Sequence, residues 1–139
     1  MPIKNFPFSN FEKGRSAYAT LNIRIINPVN GMSVYANGII DTGASDCAFP
    51  SQYADLLGHD LKKGEHKTTK TANGSSDVYS HTTIIEIYNS TNKVVYRIEK
   101  TPIDFMPNLP YVLLGVNSFL SKFILTIDYP AQKFSIQLP

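Results

Sequence analysis

Apolar and polar residues alternate with a period of two along much of this chain, and runs with the 3.6-residue period of a helix are few. Tyr18 to Ile26 alternates in this strand-like way. A second alternating run, from Val34 to Ile40, follows Asn30-Gly31, so the pair predicts a β hairpin whose second arm leads into Asp41-Thr42-Gly43. Pro50 to Gly58 has Pro at its start, Ala54 and Leu57 at helical spacing and Gly just past its end, which predicts one short helix or turn. From Glu65 to Asn89 the pattern gives another hairpin, with Thr68 to Ala72 as one arm, Asn73-Gly74 between, and a Thr-Ile-Ile-Glu-Ile-Tyr strand as the other. Ser75, Ser76 and Asp77 are the residues that could widen that turn. Lys93 to Glu99 alternates again and is expected to pair with Thr83 to Tyr88, after which Pro102 marks an edge or a break. Then come Ile103-Asp104-Phe105, a proline-rich loop and the apolar run Tyr111 to Gly115. Asn117 to Lys122 predicts one or two helical turns, and two closing strands, Phe123 to Asp128 and Lys133 to Leu138, flank a Tyr-Pro-Ala-Gln turn. The result is a compact, barrel-like all-β domain. Residues 1–15, with Pro2, Pro7 and no period, read as an N-terminal arm before a domain over 16–139.

Composition narrows the function classes. At 139 residues and 42% apolar content, the chain has material for one core of ordinary size. A net charge of +2 is small, and Lys62, Lys63, Lys67 and Lys70 are interspersed along what reads as a solvated strand face, so no nucleic-acid surface is expected. No stretch approaches a membrane span, and the N-terminus lacks a continuous apolar segment of the kind a secretion signal needs. The single Cys47 excludes an internal disulfide and points to a reducing, cytoplasmic setting. Its apolar neighbours favour a buried, inert thiol. His59, His66 and His81 lack metal-ligand spacing, so neither a metal nor a cofactor is expected.

Asp41-Thr42-Gly43 is the place where residue types dictate a chemistry. A bare Asp-Thr-Gly arises by chance in roughly a few per cent of chains this long. Here it follows an apolar strand and opens Ala44-Ser45, a tight turn. An aspartic protease holds a water between two carboxylates that share one proton, because like charges about 3 Å apart do not both ionise. With one Asp-Thr-Gly per chain, the second carboxylate has to come from a second copy, which makes an active form a symmetric homodimer. Asp41 supplies the carboxylate. Thr42 can bond across the dyad, Gly43 leaves its amide free to donate to the carboxylate, and a Ser at 45 can orient the outer oxygen.

On three separated blocks, Ile39-Ile-Asp-Thr-Gly-Ala-Ser45, Thr71-Ala-Asn-Gly74 and Val112-Leu-Leu-Gly-Val-Asn-Ser-Phe-Leu120, the chain resembles the retropepsin-like aspartic proteases, the single-domain dimeric class that includes retroviral proteases and small bacterial relatives. The resemblance covers most of the chain. It implies an acid-protease barrel with one short C-terminal helix and an active site on a homodimer two-fold axis. It also implies that Leu113, Leu114 and Gly115 pack behind Asp41, and that a flap hairpin carries Thr71, Ala72, Asn73 and Gly74 as candidate substrate contacts. Many retroviral members place an Arg after the late glycine, where it braces the dimer; here Val116 stands in that position. The implied activity is hydrolysis of peptide or protein substrates by water held between two Asp41 carboxylates. The alternative is a catalytically silent dimer of the same fold that binds a peptide or protein; the intact Asp-Thr-Gly-Ala-Ser argues against it.

Overall fold

A computed structural model describes residues 2–10, 17–71 and 74–139. Ten strands account for most of them: β1 (Pro2–Pro7), β2 (Thr20–Ile26), β3 (Ser33–Ile40), β4 (Cys47–Pro50), β5 (Glu65–Thr71), β6 (Gly74–Tyr88), β7 (Val94–Met106), β8 (Val112–Leu114), β9 (Ile124–Asp128) and β10 (Lys133–Gln137). The larger sheet runs β2-β3-β8-β4-β7-β6-β5, and a further pairing of β2 with β6 closes six of these strands into a barrel. Closure is possible because β6 is 15 residues long. Its first half pairs with β5, and its second half bonds β2 on one side and β7 on the other. A smaller sheet has the order β1-β10-β9.

Both predicted hairpins form. β2 and β3 pair from Thr20 opposite Ile39 to Ile26 opposite Ser33. β5 and β6 pair from Glu65 opposite Ser80 to Thr71 opposite Gly74. Ser75 and Asp77 therefore lie in the ladder rather than in a widened turn. β7 continues through Pro102 to Met106 without a break. The reason is positional: β4 joins β7 only from Ile103 onward, so Pro102 has a strand neighbour on one side and its missing N–H costs no ladder bond there. Residues 2–7, the first part of the segment read as an arm, are β1, which pairs antiparallel with β10. At the C-terminal end the expected helix is reduced to a 3-10 turn at Leu120–Lys122. Ser118 has φ 62 just before it, and a left-handed residue cannot sit inside an α-helix.

The barrel is filled by alternate residues of its strands. Leu21, Ile23 and Ile25 of β2, Ile85 and Ile87 of β6, and Ile103 and Phe105 of β7 join Phe49, Leu114, Phe119 and Phe134 in one buried cluster. Each such side chain contributes roughly 1.5–3 kcal/mol of transfer free energy. The short helix α1 (Gln52–Leu56) adds Ala54 to this cluster, and Leu57 just past it also packs there. Asn27 and Asn30, from the β2–β3 loop, both donate to the Leu57 carbonyl at its C-terminus, at 2.9 and 3.1 Å.

His59 follows α1 and stacks on His81 of β6, ring centroids 4.3 Å apart, with its Nε2 buried and unbonded. Burial, and secondarily the neighbouring His81, pulls its pKa below the ordinary imidazole value. The fold thus favours neutral His59: this contribution is complete above the ordinary pKa near 6.5 and is lost as pH falls through the lowered value. Thermal melts from about pH 7.5 to 5 should show the wild type losing more stability than His59→Gln; parallel curves would refute the assignment.

Candidate active site

The chain path puts Asp41 at a crossing. β8 lies between β3 and β4, parallel to β3 (Ile39 beside Leu113, Ile40 beside Leu114) and antiparallel to β4 (Ala48 beside Leu113). The link from β3 to β4, residues 41–46, must therefore pass over the end of β8, where Gly115 sits. There is no room for a side chain. A Cβ on Gly115 would lie 2.4 Å from the Asp46 carbonyl oxygen and 2.9 Å from that of Ala44. Close approach of two backbones is what demands glycine at this point.

Backbone hydrogen bonds then pin the turn along its length. Asp41 N–H donates to the Leu114 carbonyl at 3.0 Å, Val116 N–H to that of Ala44 at 2.9 Å, and Asn117 N–H to that of Ser45 at 2.7 Å. Ala44 N–H closes the turn onto the Asp41 carbonyl at 3.2 Å. The Asp41 carboxylate receives the Gly43 N–H at 2.9 Å on Oδ1. Thr42, Gly43 and Ser45 are exposed, and Asp41 and Ala44 half-buried. A carboxylate is thus presented to one side on a rigid turn. Among the described residues, the Ser45 contact to the late block is its carbonyl, which accepts the Asn117 N–H.

Leu114 is fully buried and Leu113 half-buried, on the strand that carries the turn. Of the flap candidates, Thr71 and Gly74 face each other at the end of the β5–β6 ladder, Gly74 with φ 121; Ala72 and Asn73 lie outside the described residues. Cys47, next along from the turn, is fully buried, and burial pushes its thiol up to about 11. A thiol that rarely ionises is a poor nucleophile.

Two residues near the turn were not anticipated. Lys67 of β5 places its Nζ 2.9 Å from Asp104 Oδ1 on β7 and 3.7 Å from Asp46 Oδ2 at the end of the turn. The available signal was Asp104 itself, a carboxylate inside the apolar segment Ile103-Asp104-Phe105, which on burial needs a cation.

A closed β barrel whose Asp-Thr-Gly turn crosses the end of an inserted strand defines a retropepsin-like aspartic protease fold. The chain belongs to the family described as "gag-polyprotein putative aspartyl protease", whose model matches residues 28–122. Among solved structures it is similar to a retropepsin-like aspartic protease from Rickettsia conorii, at 25% identity and TM-score 0.67, covering 99% of this chain and 98% of that one. The EIAV protease complexed with the inhibitor HBY-793 matches at 16% identity and TM-score 0.43, over 77% of this chain and 88% of that one. No curated protein matches the chain. No helix among the described residues is long and apolar enough to cross a membrane.

Proposed function

We propose that the chain is an aspartic endopeptidase that works as a homodimer, with one Asp41 from each copy flanking the attacking water. The observation that carries this reading is the half-exposed Asp41 carboxylate, held at 2.9 Å by the Gly43 N–H on a turn fixed by residues 114–117. One carboxylate of the dyad is ionised and takes a proton from the water; the other is protonated and donates to the carbonyl oxygen of the scissile peptide. The tetrahedral gem-diol then collapses to acid and amine. No covalent intermediate forms, and the cycle needs one proton shared between the two carboxylates. Substrates are extended peptides or unfolded segments of proteins, and the lone buried Cys47 fits action in a reducing, cytoplasmic compartment.

The test is cleavage of an unbiased peptide library across pH and protein concentration. Below the dimer dissociation constant, the rate is expected to rise with the square of protein concentration, since only paired chains hold two carboxylates. Concentrated, demonstrably dimeric protein that cuts nothing at any pH would defeat the proposal.

A further inference from the structure

We propose that Lys67 is a positioning residue for the catalytic turn, an ammonium clasp that is anchored on Asp104 and holds Asp46, and through it residues 41–46, against the barrel wall. The inference rests on the reading of Asp41 as catalytic.

Strand register creates the clasp. On one face of the sheet, Lys67 of β5 lies opposite Val78 of β6, Ser80 of β6 opposite Asp104 of β7, and Asp104 beside Ala48 of β4. Lys67 therefore reaches diagonally across β6 to Asp104. Asp46 ends the turn one residue before β4, and there its Oδ2 lies 3.7 Å from Lys67 Nζ.

The two carboxylates have different needs. Asp104 has a side chain only 12% exposed and bonds Lys67 at 2.9 Å; Asp46, 38% exposed, sits at 3.7 Å and receives the Asn117 amide at 3.4 Å. The nearly buried Asp104 requires the cation and fixes where it sits. Lys67 so fixed then acts on Asp46, which water alone could satisfy. The charged groups facing Asp104 are Lys67 and Glu65 from β5 and Asp46 from the turn, while Val78 and Ser80 of the intervening β6 carry none. Burial pushes the Asp104 carboxyl above its usual value; Lys67 pulls it back, and Asp46 and Glu65 push it up again. Burial pulls the Lys67 ammonium down, but the two carboxylates outweigh it and leave it above its ordinary value, so the clasp keeps its charge through the physiological range.

The sign of the pH dependence follows. Asp104 has a raised pKa in the fold, so its protonated form is favoured, and the penalty for ionising it grows as pH rises through the folded value. Removing Lys67 raises that value further. Lys67→Met should therefore melt lower than wild type at neutral pH, by a deficit that shrinks toward about pH 4, and Lys67→Arg should restore the wild-type curve.

Three readouts decide the matter: melting temperature against pH, amide hydrogen exchange of residues 42–46, and kcat and KM on a cleaved peptide. For Lys67→Met we expect exchange in the turn about 10-fold faster and kcat about 10-fold lower, with KM changed less than about 2-fold. Asp104→Asn, which unanchors Lys67, should move kcat and exchange the same way without the pH-dependent deficit. Should Lys67→Met not fold at neutral pH, Lys67→Met with Asp104→Asn replaces it, having no buried carboxylate to strand, and the same exchange and kcat changes are expected. Wild-type exchange in the turn, or a melting deficit equal at all pH values, overturns the clasp. If wild-type protein cleaves nothing, the protease reading fails, and exchange and melting still decide whether Lys67 holds the turn.

Discussion

When Asp41→Asn chain is mixed into wild type at constant total concentration, activity is expected to fall as the square of the wild-type fraction. In the proposed mechanism each copy contributes one carboxylate, so only the wild-type pair can hold one proton between two acids. A mixed pair has one carboxylate facing an amide that can neither take nor give the required proton. The pure variant should lose at least about 1,000-fold in rate, the scale of general acid–base catalysis. An equal mixture should keep about one quarter of the wild-type rate, because random pairing leaves that share of dimers intact. The fold should be unaffected: the contact on the Asp41 side chain is an acceptor for the Gly43 N–H at 2.9 Å, and an Asn oxygen can accept the same bond. Placing two carboxylates near one axis is unfavourable, so the variant should melt no lower than wild type. A linear fall in activity would mean that a single chain suffices, and cleavage by the pure variant at close to the wild-type rate would remove Asp41 from the chemistry.

How much of this site was legible beforehand depended on the distance over which its parts are specified. Asp41, Thr42 and Gly43 are consecutive, and the chemistry constrains their types directly, so the triplet could be read from the chain alone. Gly115 could be placed only through the resemblance, because the contact that requires it is made with Ala44 and Asp46, far away in sequence. The Lys67 clasp was not legible. Its three charges come from β5, β7 and the turn before β4, and only the register of four strands brings them together. Lys67 taken alone reads as one lysine among several on a solvated strand.

The fold divides the same way. Hairpins were readable because each arm alternates and a turn signal separates the arms, which makes the pairing local. β8 has three residues, too short for any period, yet it is the strand over which the Asp41 turn folds. Its insertion between β3 and β4 is a long-range decision made by packing. Pro102 marks an edge rather than a break: β4 reaches β7 only at Ile103, so at Pro102 there is no strand on that side to miss a ladder bond. Likewise the pattern from Asn117 to Lys122 fits helical turns, but Ser118 at φ 62 turns the chain before a helix can propagate.

Gly115→Ala is expected to cost about 3 kcal/mol or more, a large share of the roughly 5–15 kcal/mol that holds a domain folded. The added methyl would meet the carbonyl oxygen and carbon of Asp46 at 2.4 and 2.5 Å and the Ala44 oxygen at 2.9 Å, all of them backbone. No rotamer change relieves such a contact; the turn itself has to move. Moving it stretches the bonds from Val116 to Ala44 and from Asn117 to Ser45, each worth about 0.5–1.5 kcal/mol. The control is Gly31→Ala. Gly31 has φ 76 and no heavy atom within 4 Å of where its Cβ would be, so that change carries the left-handed penalty alone, about 1–2 kcal/mol. Urea unfolding of both variants separates steric collision from backbone conformation. Equal losses would mean that the turn does not rest on Gly115 as described. A larger loss at Gly115, with any surviving folded protein impaired in cleavage, would tie the seat of Asp41 to the glycine at which the 41–46 turn crosses the end of β8.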